Sequence, residues 1–165
     1  MTVAPRTWGA GETVTAALMN QEIRDQLNSF FGAWTPYTPT WTASTTNPVL
    51  NNGTLTGRYM KLGRIVFCNI NLTTGSTTTY GSGDYGFSLP ATAAASGMAA
   101  VGQAQLLGVA RWAGQMVISS GAGTTAPFFS DSATNTRLTW MNPTKPETHA
   151  AGAQLRMTFT YESAT

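Results

Sequence analysis

"QLRMTFTYE" (residues 154–162) decides the fold of this chain. Leu155, Met157, Phe159 and Tyr161 alternate with Arg156, Thr158, Thr160 and Glu162. An extended backbone sends successive side chains to opposite faces, so this run presents one apolar and one polar surface. That is the pattern of a half-buried strand.

The pattern recurs upstream. In "NNGTLTGRYMKLGRIVFCNINL" (residues 51–72) a turn leads into an extended run over 55–61 and a reversal at Leu62–Gly63. A second run over 65–72 follows, with Val66, Cys68, Ile70 and Leu72 on one face. Tyr85, Phe87 and Leu89 alternate with Gly86 and Ser88 until Pro90 ends the run. Further extended runs fall near 99–110, 111–119, 126–130 and 137–141, with Gly, Ser and Thr clusters between them. About eight strands punctuated by turns predict a mainly β fold, an antiparallel jelly-roll-like β-sandwich. In "ATAAASGMAAVG" (residues 91–102) the alanines would equally suit a helical turn.

Composition agrees with such an exterior. Charged residues are only 10% of the 165, far below the usual quarter. The polar surface is therefore built from Thr, Ser, Asn, Gln and Gly, hydrated but weakly charged. The aromatic content and low charge exclude bulk disorder, and the length suits one main domain. Arg58, Lys61 and Arg64 form the sole local basic cluster and read as the solvated edge of a hairpin, so nucleic-acid binding is not expected. Cys68 is the single cysteine, which excludes a disulfide or a multi-cysteine metal site within one chain. Its place on an apolar face predicts a buried, inert thiol. "MTVAPRTWGAGE" lacks the apolar core of a signal peptide, and no run reaches the length of a membrane-spanning helix. Synthesis in the cytoplasm as a soluble chain, without membrane insertion, is expected.

The first segment differs. "TVTAALMNQEIRDQLNSFFG" (residues 13–32) has no proline and no internal glycine, and is rich in helix formers. Thr13 or Thr15 can cap its start, and Glu12 sits near the positive end of the dipole. Ala16, Met19, Ile23, Gln26 and Phe30 recur three and four apart, with Leu18, Leu27 and Phe31 widening the stripe. A helix of about 17 residues, roughly 25 Å long, is marginal alone and must bury that stripe. Periodicity leaves two outcomes open, packing on its own domain or against copies of itself. "WTPYTPTWTASTTNP" (residues 34–48) is rich in Pro and Thr and reads as an extended linker lying on a surface. The organisation expected is an anchoring and oligomerisation helix over 1–33, the linker over 34–48 and a β head over 49–165.

Reactive chemistry is sparse. His149 is the single histidine and lies in the Pro-flanked loop "PTKPETHAAG" (residues 143–152), without a nucleophile-elbow sequence. A serine–histidine–acid device would need it together with Asp84 or Asp131. A surface or interface histidine is the favoured reading, and three copies meeting on a trimer axis could bind one metal. Glu12, Glu22 and Asp25 belong to the helix region, and Asp84, Asp131, Glu147 and Glu162 are isolated, so no carboxylate pair for glycoside hydrolysis stands out. "GSGDYG" (residues 81–86) and "SSGAGTT" (residues 119–125) do not run from a strand into a helix and are not phosphate loops. Neither catalysis nor a cofactor or metal is expected. Aromatic side chains are the better functional candidates, because the apolar face of a sugar ring stacks on them while Asn, Gln and Asp meet its hydroxyls. Tyr80, Asp84, Trp112 and Trp140 are the candidate ligand-binding residues; for Trp112, Trp140 and Tyr85 a place in the core is the favoured reading, and Tyr80, in a loop, is the better surface candidate. Loops 73–84, 119–125 and 142–152 are candidates for an exposed tip.

Two stretches carry a family resemblance. "RTWGAGETVTAALMNQEIRDQLN" (residues 6–28) resembles the start of many tailed-phage structural proteins, through Trp8, Gly9, Gly11, Val14, Thr15, Ala16, Ala17, Asn20, Ile23, Arg24 and Asp25. "YTPTWTASTTNPVLNNGTLTGRYMKLGRIVF" (residues 37–67), followed by "GSTTTYGSGDYGFSLP" (residues 75–90), looks like the β-domain of minor tail and fibre-type proteins, notably from phages of actinobacteria. The likeness covers roughly the first 90 residues and is loose beyond them. It implies a virion protein, a homotrimer held through Met19, Ile23, Leu27 and Phe30, with the N-terminal region contacting other virion proteins. The head would be an outward-projecting jelly roll, and its polar and aromatic loop tips favour a receptor-binding module for host surface carbohydrate. The chain departs from long fibres in having no shaft and no collagen-like repeat. That departure keeps open a capsid decoration or vertex protein without receptor binding, and, behind it, a small wall hydrolase.

Overall fold

A computed structural model describes residues 7–25, 27–28, 32–131 and 134–165. It is mainly β and antiparallel, with one short helical segment near the N-terminus. The strands are β1 (Thr35–Tyr37), β2 (Trp41–Ala43), β3 (Thr54–Leu62), β4 (Ile65–Thr73), β5 (Tyr85–Ser88), β6 (Ala100–Leu107), β7 (Arg111–Ile118), β8 (Thr124–Ser130), β9 (Leu138–Trp140) and β10 (Gln154–Glu162). They form one curled sheet in the order β1-β3-β4-β10-β6-β7-β8-β5-β2, with β9 beside β8. The sandwich-like antiparallel architecture is as expected. The order itself is a curled ten-stranded sheet and does not of itself make a jelly roll.

The deciding stretch becomes β10, a central strand. Leu155 faces Leu72, Met157 faces Ile70, Phe159 faces Cys68 and Tyr161 faces Val66 across the β10–β4 ladder. All eight side chains are buried, while Arg156, Thr158, Thr160 and Glu162 are exposed. Burying each large apolar side chain contributes about 1.5–3 kcal/mol, so this double row is the backbone of the core. β5, β6, β7 and β8 add Tyr85, Phe87, Leu106, Met116, Ile118 and Phe129 from the other side. The β3–β4 reversal is a two-residue loop, Gly63–Arg64, between Leu62 and Ile65. Gly63 has φ +57°, a left-handed conformation open to glycine at low cost. Gly102 of β6 has a different reason: a Cβ there would lie 2.4 Å from Phe159 Cβ and 2.7 Å from the Thr158 carbonyl oxygen of β10. The two strands pass too closely for a side chain.

The segment 34–48 is extended, as its prolines require, and it is built into the fold. β1 pairs with β3 and β2 with β5. Trp41 is buried in the core, stacked on Phe87 and edge-on to Tyr85. β1 and β2 are the two edges of the sheet, yet only residues 38–40 separate them. Three residues reach little more than about 10–14 Å, so the sheet must curl until its edges meet. Tyr37 marks the seam: its hydroxyl lies 3.3 Å from Cys68 Sγ of β4 and donates to the Ser88 carbonyl of β5 at 3.4 Å. The alanine-rich stretch 91–102 forms no helix; Ala93 bridges to Ser163 and β6 begins at Ala100.

The N-terminal helix is α over Ala16–Met19 and widens to a π turn over Asn20–Arg24, where the Asp25 N–H donates to the Asn20 carbonyl. A regular α-helix was the expectation, and the π turn changes the spacing of its stripe. Thr15 is the cap, its hydroxyl accepting from the Leu18 N–H. Glu12 accepts from the Gly9 N–H and closes a turn. None of the residues of these two turns is buried, and Met19, Ile23 and Leu27 are 43%, 46% and 52% exposed. Phe30 and Gln26, also placed on the stripe, lie outside the described residues.

Candidate functional site

The curl of the sheet leaves a groove of about 350 Å³ at the junction of β2, β5, β7, β8 and β9. β8 changes partner there, pairing with β7 through Ala126 and Pro127 and with β5 through Thr124 and Thr125. The groove holds Asp84 and Trp140 together, two of the four candidate ligand-binding residues, with Ser44, Ser119 and Thr124 around them. Loops 73–84 and 119–125 therefore meet at one place.

Trp140 is 47% exposed, and its ring is backed by Phe128 at 4.4 Å between centroids. Phe128 is its partner in the β8–β9 ladder, so the indole is held from behind while part of its surface faces solvent. Asp84 is exposed, with its N–H held by the Ser44 hydroxyl at 2.9 Å. Among the described residues its carboxylate forms no ion pair or hydrogen bond, and it is the one charged group lining the groove. Thr125 and Thr42 spend their hydroxyls on the Val117 and Gly86 carbonyls. An aromatic plate beside a carboxylate and free hydroxyls is suited to stack one face of a sugar and accept from its O–H groups.

Trp112 and Tyr80 are not in this groove. Trp112 is half-buried and donates Nε1–H to Glu147 Oε2 at 2.8 Å. The same carboxylate accepts from the N–H groups of Val109 at 2.7 Å and Ala110 at 3.1 Å, clasping the β6–β7 turn. Burial pushes the Glu147 carboxyl up, but these bonds together outweigh it and hold it below its usual range. Tyr80, expected at the surface, turns inward: its hydroxyl is buried and its ring lies 6.0 Å from that of His149.

His149 is also a correction. It is 7% exposed, between Tyr80 and Tyr85, not at a surface or interface. A ring inside its own domain cannot meet two others on an axis, so the shared metal site falls away. Nothing in "PTKPETHAAG" signals this burial; the aromatic partners come from a loop and a strand more than sixty residues earlier. Among the described residues no cluster of three His, Cys, Asp or Glu could hold a metal. Cys68 is buried, and burial pushes its thiol up to about 11, as an inert core cysteine requires.

The basic cluster is spent within the chain. Arg64 pairs with Glu162 and donates to the Ser163 carbonyl, Lys61 reaches the Thr165 carbonyl, and Arg58 lies over the Trp34 ring. A second depression of about 560 Å³ on the outward face of β6, β7 and β10 offers Gln103, Gln105, Gln115 and Arg156 but no aromatic plate. Among the described residues no helix is long and apolar enough to cross a membrane. Comparison of this chain with protein-family models, with curated proteins and with solved structures finds no match.

Proposed function

We propose that this chain is a virion structural protein of the tailed-phage minor tail or fibre type, whose β-domain presents the Asp84–Trp140 groove to carbohydrate on a host surface. The observation that carries the reading is Trp140, half-exposed in a groove that also holds a carboxylate with no partner among the described residues. The apolar stripe of Met19, Ile23 and Leu27 supports self-association, because it is exposed and buries nothing on its own domain. A homotrimer joined through that stripe would set three grooves on one particle, raising avidity for a repetitive polysaccharide.

The test is binding of the purified chain to host envelope polysaccharide, compared with Trp140→Ala and Asp84→Asn. Loss of at least about tenfold in affinity, ~1.4 kcal/mol, with unchanged unfolding curves supports the reading. Equal binding by all three proteins refutes it. The exposed stripe also fits a capsid decoration or vertex part that assembles and binds no receptor. Labelling the protein on intact virions and finding it only on the capsid, with no carbohydrate binding, would select that alternative.

A further inference from the structure

His149 is a buried polar side chain with no hydrogen bond at either ring nitrogen. It lies with its ring plane within 28° of that of Tyr85 and 6.0 Å away, beside a small void of about 10 Å³. The side chains that line its pocket are uncharged. Trp41 of β2, Leu72 of β4, Leu106 of β6, Leu155 of β10, Thr74 and Met141 border the void with it. The titratable groups near it are the phenols of Tyr80 and Tyr85 and, from its own loop, Glu147. Glu147 is charged at neutral pH, but its oxygens are occupied by three N–H donors at the β6–β7 turn. The Asn142 backbone approaches the ring without completing a hydrogen bond; it and Glu147 favour the proton, and burial outweighs both, holding His149 below its usual value.

The ring belongs to a loop that is tied down at both ends. Residues 142–152 are tied to the body through Thr74, whose hydroxyl donates to the Ala150 carbonyl and whose N–H and carbonyl bond Ala153 and Gly152. At the other end of the loop Met141 joins β8 to β5: its N–H donates to Pro127 and its carbonyl accepts from Tyr85. Met141 follows Trp140, and Tyr85 follows Asp84. Tyr85, stacked on His149, and Met141, which borders the same void, are thus the chain neighbours of the two residues that define the groove.

We propose that His149 is an acid-sensitive plug: on gaining a proton it leaves its place between Tyr80 and Tyr85, loosens the 142–152 loop and, through Tyr85 and Met141, reshapes the Asp84–Trp140 groove. A charged ring has no partner in that neutral pocket, whereas outside it water solvates the charge. The unfolded or opened chain binds the proton more readily than the closed one. The contribution to stability is therefore full above about pH 6.5, the ordinary histidine value, and is lost as pH falls below it. The groove part of this inference rests on the proposed function; the plug itself does not.

His149 is the single histidine, so ring-labelled protein gives one histidine signal. NMR from pH 7.5 to 4.5, with the Trp140 indole followed in parallel, reads plug and groove separately. The expected result is a His149 midpoint below 6.5, an opening constant that grows up to about tenfold per pH unit below that value, and a Trp140 shift with the same midpoint. A midpoint at or above 6.5 with unchanged neighbours overturns the plug. His149→Phe keeps a ring of similar shape and should abolish the pH slope; retention of the slope overturns the proposal, and if the variant does not fold, the parent titration decides alone. A normal His149 transition with a static Trp140 overturns the coupling. Failure to bind carbohydrate at any pH refutes the function of the groove, with the His149 titration still deciding the plug.

Discussion

Glu147 offers the most direct test of how the long loop is held. Its carboxylate accepts three N–H groups, from Val109, Ala110 and Trp112. Bonds to a charged acceptor are worth about 1.5–3 kcal/mol when buried. Val109 and Ala110 are exposed, so in Glu147→Ala water takes over their donors and each loss is reduced to about 0.5 kcal/mol. The Trp112 indole is half-buried and its loss is larger, about 1 kcal/mol. The sum is roughly 2 kcal/mol, about 4–8 °C in Tm for a chain of this length. Glu147→Gln keeps one acceptor oxygen but turns an NH₂ group towards the other donors, so it recovers less than half. The sign with pH follows from the depressed carboxyl: its contribution is present above the unfolded value, near 4.5, and disappears as pH falls through the lower folded value. Urea unfolding of parent and variants, followed by tryptophan fluorescence and circular dichroism at pH 7 and pH 3.5, measures both. Effects shared by all the proteins cancel in the difference. A Glu147→Ala variant within about 0.3 kcal/mol of the parent at pH 7 would refute the clasp. So would a gap between the two that is no smaller at pH 3.5.

Two further outcomes are specific. Gly102→Ala pushes a methyl into the backbone of β10 and should cost about 2–3 kcal/mol by denaturation; a cost below about 0.5 kcal/mol would mean that the strands are not so close. Ile23→Asp with Leu27→Asp puts charges on the exposed stripe and should reduce an oligomer to the 17.5 kDa single chain in native mass measurement, with the β-domain's unfolding unchanged. A parent chain already monomeric at working concentration would sink the self-association reading.

Where a strand is half-buried, its sequence states its faces, and β4 and β10 were readable residue by residue because each alternate position carries one chemistry. The segment 34–48 was readable as extended but not as part of the sheet. Its strands are three residues each, too short for a period, and the reason for them lies in closure between distant edges. Trp140 and Asp84 were found as residue types suited to sugar, while their meeting depends on β8 changing partner, which no local pattern encodes. Trp112 and Tyr80 belong to the same types and go elsewhere. His149 escaped altogether. A polar residue in a Pro-rich loop gives every local sign of exposure, and only packing by Tyr80 and Tyr85 puts it inside. The π turn in the N-terminal helix likewise leaves no mark in composition.

The edges that meet through residues 38–40 also determine how the domain bears a load. A pull arriving from the N-terminal side enters the sheet at β1, an edge strand of three residues. Pulled away from β3, it can be peeled off one bond at a time, because a force across a strand breaks its pairs in sequence rather than together. The next barrier is larger: beyond residues 38–40 the chain leads directly to Trp41, whose buried indole must leave the core before β2 can follow. β10, flanked on both sides by β4 and β6, is the last element reached. The closure segment is therefore a short taut tether backed by an aromatic stop, so that β1 yields under tension while the central strands stay paired.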